Sequence, residues 1–321
     1  MTWAVVLAAG DGTRLSALTA DERGNVVPKQ YCSLAGGQSL LQDALRRARR
    51  VVPKERVCAI VARCHEHHWR PLLGAMPPGN LIVQPHNRGT ANGVLLSVLH
   101  ILQQDARARI LFLPSDHFVK DEEMLAQSLR SATARLAGDG DGLTLVGIKP
   151  DAADTELGYI VPGAPMRNGS QHVTQFVEKP SLAQARDLMA LGAVWNSFIF
   201  ASSARSLLAL MQWRVPEVVA QMTIALACRA PPQAGTRALA VLYEALPVID
   251  FSRSIVQGSE AALRLRTAPA CGWADLGTLQ SITRTLQQHR VGTAPRPPAS
   301  TALVRARFNL SALIAHSAIK A

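Results

Sequence analysis

Gly10, Gly12, Arg14 and Lys29 are the first residues whose types and spacing could do chemistry. A short apolar run over 3–8 stops at Gly10-Asp11-Gly12, with Arg14 close behind and Pro28-Lys29 downstream. Glycines let a backbone approach a polyphosphate, and the freed N–H groups face the anion. Arg14 and Lys29 add positive charge. A group that leaves as pyrophosphate needs such charge, because negative charge develops on it in the transition state. From this turn alone, a glycine hairpin with a surface arginine reads equally well.

Two other phosphate loops are excluded. A dinucleotide fingerprint needs G-x-G-x-x-G, and the third glycine position is Leu15. No acidic residue closes the second predicted strand, which runs into Ala62, Arg63 and Cys64. A P-loop needs G-x-x-x-x-G-K-[ST], and no such lysine follows Gly12.

The elements that must position these residues read as strands alternating with helices. Apolar runs at 3–8, 57–62, 81–84, 109–114 and 143–148 predict strands. Helical spacing follows Ser39, a candidate N-cap, and recurs over 90–104 and 122–136. This alternation predicts an α/β fold with a doubly wound, mainly parallel sheet. Ligands of such sheets sit beyond the carboxyl ends of the strands, and Gly10, Gln84 and Asp116 all fall there. After residue 150 the texture changes to strand-and-turn segments (GYIVPG, HVTQFVEKP, WNSFIF), which read as the acceptor side of a cleft. Residues 1–290 are expected to form one domain, about 1–150 binding a nucleotide and 151–290 a sugar phosphate. Residues 291–321 read as a proline-containing linker and short tail.

Composition narrows the classes. The chain has 321 residues, enough for one sizeable core, and a net charge of +11. The basic residues are spread out, and the densest cluster, RRARR at 46–50, reads as a solvated helix face. No nucleic-acid partner is expected; a diffuse positive field suits phosphorylated anions. No run reaches 18 apolar residues, and the N-terminus lacks the pattern of a signal peptide, so no membrane partner is expected. Five scattered cysteines without a C-x-x-C pair fit a reducing cytoplasm. The run HEHH, with His65, His67 and His68, reads as a solvated helix start rather than a metal cluster with a Cys or Asp partner.

Six separated blocks carry a resemblance to a known family: LAAGDGTRL with VPKQY; QPHNRGTANGV; LFLPSDHFV; ELGYIVPG; QFVEKP with WNSFIF; and PVIDFS with CGWADLGT. Together they resemble the sugar-phosphate nucleotidyltransferases, most closely the mannose-1-phosphate guanylyltransferases, over roughly residues 3–285. The resemblance implies a Rossmann-like fold of the nucleotide-diphospho-sugar transferase type. It implies the reaction of GTP with mannose 1-phosphate to give GDP-mannose and pyrophosphate, by in-line attack without a covalent enzyme intermediate. Magnesium is the implied cofactor, a hard cation held by oxygen ligands.

Residue roles are implied in the same way. Asp116 and Asp275 match the two metal carboxylates, and with Arg14 and Lys29 they make up the catalytic set. Ala8, Gly10, Gly12, Thr13 and Arg14 match the phosphate-lining turn, and Lys29 the grip on the triphosphate. Gln84, Gly89 and Thr90 match the segment facing base and ribose. Gly158, Glu178, Lys179 and Asn196 match the sugar-phosphate side, and Trp195 reads as packing. A homodimer is compatible with the resemblance.

The sequence departs from the family pattern at three places. The segment from Arg14 to Lys29 is long. Phe198 stands where a glycine usually follows WNS, which bears on the choice of sugar. Gln84-Pro85 replaces Glu-Pro, which bears on the choice of base because an amide both donates and accepts. Three rival functions remain at this stage. These are another nucleotide or sugar in the same reaction, a cytidylyltransferase of isoprenoid precursors, and a catalytically silent paralogue that binds sugar nucleotides.

Overall fold

The computed structural model describes residues 1–12, 15–16, 18–20, 25–34, 37–77, 79–134, 136, 142–227, 232–289 and 307–308. In the first half the strands are β1 (Thr2–Ala8), β2 (Thr19–Ala20), β3 (Val57–Ala62), β4 (Leu81–Gln84), β5 (Arg109–Pro114), β6 (His117–Phe118) and β7 (Leu143–Ile148). The second half adds β8 (Gly158–Pro165), β9 (Gln171–Glu178), β10 (Val194–Ser203), β11 (Leu263–Thr267), β12 (Ala274–Asp275) and β13 (Arg307–Phe308). The helices are α1 (Leu40–Arg49), α2 (Glu66–Leu73), α3 (Thr90–Leu102), α4 (Glu122–Ala134), α5 (Leu182–Ala190), α6 (Ala204–Arg214), α7 (Pro216–Ala227), α8 (Pro232–Ala245) and α9 (Leu279–His289). None of the helices among the described residues is long and apolar enough to cross a membrane.

Nine strands form one mixed sheet in the order β4-β3-β1-β5-β10-β7-β11-β9-β8. The first half is parallel as the alternation predicts: β1 pairs β3 and β5, and β3 pairs β4. The second half is not. Strand β10 enters antiparallel between β5 and β7, and β8 and β9 form an antiparallel edge. The two stretches on either side of residue 150 are therefore one continuous sheet.

Side chains of a strand alternate between faces. In β1, Ala4, Val6 and Ala8 join one core cluster, while Trp3 and Val5 join a second. The first cluster takes in Leu41 and Leu45 of α1, Trp69 of α2, Leu125 of α4, Leu188 of α5 and Ile282 of α9. The second takes in Val94 and Val98 of α3, Leu207 of α6, Met222 of α7 and Tyr243 of α8. Helices thus cover both faces, and the apolar character of every β3 residue follows from burial on both sides.

Ser39 caps α1 as expected. Its hydroxyl accepts from the Gln42 N–H, and Gln42 Oε1 accepts from the Ser39 N–H, a capping box contributing about 1 kcal/mol. The basic run that follows is not simply a solvated face. Arg47 is 2% exposed and donates two bonds of 2.9 Å to the Glu122 carboxylate, locking α1 to α4. Its neighbours Arg46 and Arg50 pair with Asp43 and Glu123. Cys32, Cys58 and Cys271 are buried thiols, Cys64 is an exposed one, and Cys228 lies outside the described residues.

Candidate active site

A cleft of about 420 Å³ opens along the carboxyl ends of the parallel strands. Its walls take residues from both halves of the chain. Gly10, Gly12, Gln84, Gly89 and Thr90 come from the first half, and Gly158, Glu178, Lys179 and Asn196 from the second. Asp116 and Asp275 line the same cleft. Thirteen of the expected site residues are therefore brought to one place or its wall, counting these eleven together with Lys29 and Ala8, which take the positions given below. Arg14 and Thr13 lie outside the described residues.

The two aspartates meet through a very short ladder. Asp116 follows the end of β5, and β6 directly after it pairs antiparallel with β12, setting His117 opposite Asp275. Gly277 completes the arrangement, because a Cβ at that position would overlap the Asp275 carboxylate. Between the carboxylates stands a cation. Lys29 Nζ lies 2.9 Å from Asp116 Oδ2 and 3.6 Å from Asp275 Oδ1, with the lysine side chain almost fully buried. Burial pushes the Asp116 carboxyl up, but the Lys29 ammonium, His117 and hydrogen bonds outweigh it and hold the group at about 2.

His117 supports this group. The Trp273 indole donates to His117 Nδ1 at 3.2 Å, so a neutral ring carries its proton on Nε2. That nitrogen lies 3.8 Å from Asp116 and 3.7 Å from Asp275. Burial keeps the ring below its ordinary value, against the pull of both aspartates.

Lys29 is placed by its own segment. Residues 29–31 form a 3-10 turn after Pro28. Gly12, at φ +64°, packs so closely on this turn that a Cβ would come within 2.9 Å of the backbone nitrogen of Lys29. Gln30 Nε2 donates to the carbonyls of Ala8 and Gly10 at 3.2 and 2.7 Å, and Tyr31 also donates to Ala8. The expected role of Ala8 changes accordingly. Its side chain faces the core and it contributes a carbonyl to Gln30, while Leu7 and Ala9 line the cleft.

Two side-chain oxygens in the cleft lack hydrogen-bond partners among the described residues. Gln84 is buried at the end of β4, and its Oε1 accepts no hydrogen bond among the described residues. Glu178 Oε2 is likewise buried without one. Burial pushes the Glu178 carboxyl up to about 7, with the Asp250 carboxylate adding to it and Lys179 and Arg253 opposing. Unpaired buried acceptors cost free energy unless something arrives to satisfy them.

Backbone strain gathers on the same side. Among the described residues, the two non-glycine residues with positive φ are Lys179 (50°) and Phe198 (55°), and both line the cleft. Phe198 sits in a bulge of β10, where pairing with β7 skips between Asn196 and Ile199. Asn196 Oδ1 accepts from the Phe198 N–H at 3.1 Å, and Lys179 Nζ lies 3.4 Å from Glu156.

Compared with known proteins, the chain matches the family model described as nucleotidyl transferase over residues 3–290. The chain belongs to the nucleotidyl transferase family. This nucleotidyl transferase is 30% identical over 302 residues to the xanthan biosynthesis protein XanB of Xanthomonas campestris pv. campestris, covering 90% of this chain and 60% of that protein. It is 28% identical to the mannose-1-phosphate guanylyltransferase RfbM of Salmonella typhimurium, covering 87% of this chain and 57% of that one. The chain thus spans less than two thirds of the length of these curated relatives. A solved structure described as mannose-1-phosphate geranyltransferase from Thermus thermophilus superposes with a TM-score of 0.75 at 31% identity, covering 89% of this chain and 79% of that one. The nucleotidyl transferase is therefore a sugar-phosphate nucleotidyltransferase by relationship, close to the mannose-1-phosphate guanylyltransferases.

Sequence reasoning on this nucleotidyl transferase passed over Gln30, His117, Trp273 and Asp250. All four stand inside the six blocks that carry the resemblance: Gln30, His117 and Trp273 lie within PKQY, PSDH and GWAD, close to Lys29, Asp116 and Asp275, whereas Asp250 lies in PVIDFS, which holds none of the expected site residues. Asp250 follows Ile249, whose backbone accepts from Ala91 and donates to Arg88, so its arrival in the cleft depends on a long-range pairing invisible in spacing.

Proposed function

We propose that this chain transfers a nucleoside monophosphate from a nucleoside triphosphate to a sugar 1-phosphate, with GTP and mannose 1-phosphate as the substrates. The observation that carries the reading is the meeting of Asp116 and Asp275 on one cation position, in the same cleft as Glu178, Lys179 and Asn196. Two carboxylates of hard oxygens that already share the Lys29 ammonium fit magnesium. Bound there, magnesium would neutralise charge on the triphosphate and orient its α-phosphate for attack.

The chain's own residues have separable tasks. Lys29, released from the aspartates, would face the β- and γ-phosphates and offset the charge of the departing pyrophosphate. The N–H groups of the turn around Gly10 would add to this. The Gln84 amide, with a free acceptor, would bond to the edge of the base; guanine offers donors to such a group. Lys179 would pair with the phosphate of the incoming sugar phosphate, and Glu178 and Asn196 with sugar hydroxyls. A sugar-phosphate oxygen attacks the α-phosphorus, its bond to the bridging oxygen breaks, and pyrophosphate leaves, with no proton transfer demanded of the protein.

Phe198 supports a second reading of the acceptor. A phenyl ring lining the cleft bears on the shape of the sugar pocket, so the second reading is a hexose 1-phosphate other than mannose 1-phosphate, with the chemistry unchanged. One experiment separates the cases: pyrophosphate release with magnesium, each nucleoside triphosphate in turn and a panel of hexose 1-phosphates. The expected result is fastest release with GTP and mannose 1-phosphate. Release with another pair would move the specificity and keep the reaction. Silence with every pair would replace transfer by binding alone.

A further inference from the structure

Strands β1 and β3 are parallel neighbours, and their register sets Ala8 opposite Val61. Three residues past each of these positions stand Asp11 and Cys64. The chain turns after both strands, so two residues remote in sequence emerge side by side at the mouth of the cleft. His65 follows Cys64. The ligand atoms of Asp11, Cys64 and His65 all lie within 4.8 Å of one another. The sequence alone reads HEHH as a solvated helix start; Cys64 directly precedes it, and the fold adds the carboxylate of Asp11.

Each donor has a free ligating atom. Asp11 Oδ2 accepts from Asn87 Nδ2 at 2.8 Å, which fixes the carboxylate and leaves Oδ1 facing His65 Nε2 at 3.9 Å. His65 Nδ1 is buried and has no hydrogen-bond partner among the described residues. The imidazole is held edge-on by Tyr31, with ring centroids 6.0 Å apart, and Tyr31 in turn stacks on His68. Cys64 is exposed and forms no disulfide. Helix α2, which begins directly after His65, is anchored because the Trp69 indole donates to Ala62 at 2.9 Å. The three donors are thus carried on braced backbone.

We propose that Asp11, Cys64 and a ring nitrogen of His65 form a binding site for a divalent transition metal of the zinc class, with the fourth position open to solvent. Sulfur, imidazole nitrogen and one carboxylate oxygen suit a borderline-soft cation rather than magnesium or calcium, which take oxygen ligands. In a tetrahedral zinc site with bonds of about 2.0–2.3 Å, neighbouring donor atoms stand roughly 3.5 Å apart. Side-chain rotation closing the donors by about an ångström reaches that spacing. The open side follows from the exposure of Asp11 (46%) and Cys64. This site is separate from the Asp116–Asp275 pair and does not rest on the proposed reaction. It touches the nucleotide side, because Asp11 stands between Gly10 and Gly12 and is bonded to Asn87, all three of which line the cleft. Metal bound there would fix the phosphate turn to the end of β3.

The test is cobalt(II) titration of the full, chelator-treated chain, read by absorption. The expected result is one equivalent bound with tetrahedral ligand-field bands and a thiolate-to-cobalt charge-transfer band in the near ultraviolet, all displaced by zinc. Cys64→Ser is expected to remove the charge-transfer band, and His65→Ala to weaken binding at least about tenfold. Because Cys64 is exposed, the serine variant should keep the wild-type circular dichroism and melting temperature. A titration without the charge-transfer band would overturn the site, as would one that is the same in wild type and Cys64→Ser.

Discussion

Lys29 Nζ lies 2.9 Å from Asp116 Oδ2, so the side chain assigned to the leaving group already neutralises a carboxylate assigned to the metal. On the proposed reading, the ammonium and a divalent cation would compete for that position. Lys29→Met therefore has two expected effects. Pyrophosphate release should fall about 10²–10³-fold, as for the loss of a single stabilising charge. Without magnesium the variant should also melt lower than wild type, because Asp116 and Asp275 then face each other unpaired. Magnesium should restore much of that loss in the variant and change wild type less. A melting temperature insensitive to magnesium in Lys29→Met would separate the aspartates from the metal.

Gly277→Ala tests how finely Asp275 is held. The added methyl would overlap the Asp275 carboxylate, while its backbone remains in the ordinary range for any residue. A displacement of about an ångström at a reacting group costs about 10²-fold in rate. Turnover should fall by that order, with the circular dichroism spectrum unchanged. Full activity in the variant would show that the carboxylate tolerates the shift.

Glu178 gives a pH dependence with a definite sign. Its carboxyl is pushed up to about 7 by burial, with Asp250 adding to this, from an ordinary value near 4.5. The folded state therefore holds a proton that the unfolded chain has released between about pH 4.5 and 7. In that window the group's contribution to stability declines as pH rises, and above 7 it stays at its lower level. Glu178→Gln should melt higher than wild type at pH 8 and show little difference at pH 4.5. For the acceptor, the ionised form takes hydroxyl bonds on both oxygens, so wild-type KM should drop through pH 7 and the glutamine variant should lack that break. Coincident pH profiles in the two proteins would remove Glu178 from acceptor binding.

Phe198→Gly addresses the acceptor. Glycine accepts φ +55° without the strain that a phenylalanine carries, and it removes a ring from the cleft. The ratio of kcat/KM between different hexose 1-phosphates should change at least severalfold, with the nucleotide KM unmoved. An unchanged ratio would mean that the ring lies clear of the sugar.

Gln84→Glu addresses the base. Its Oε1 is an unsatisfied buried acceptor, and a carboxylate in its place offers two acceptors and no donor. Relative kcat/KM should move about tenfold toward GTP and away from triphosphates whose base presents an acceptor there. Equal shifts for all triphosphates would assign the residue to packing.

Much of the first half was legible in the sequence. The strands at 57–62, 81–84, 109–114 and 143–148 appear at the expected bounds, because short apolar runs between glycine and proline signals have few other solutions. What was not legible came from pairings between distant segments. The placement of β10 between β5 and β7 depends on antiparallel ladders that leave no periodic trace. The two-residue pairing of β6 with β12 is too short to announce itself, yet it joins Asp116 to Asp275. Arg47 looked like a surface charge because its partner, Glu122, lies on another helix. Asp11 and Cys64 became neighbours only through the register of β1 and β3.

The position of β10 also bears on whether this protein can be divided. A chain cut near residue 150 would lose the strand lying between β5 and β7, and both would be left with bare, apolar edges. Such a nucleotide-side fragment would aggregate rather than bind, and tandem duplication of either part alone would give no working precursor. Two fragments produced together could instead rebuild the sheet by inserting β10 into its slot. Donor and acceptor recognition are thus inherited as one piece, and changes of substrate must come from side chains and loops along the rim.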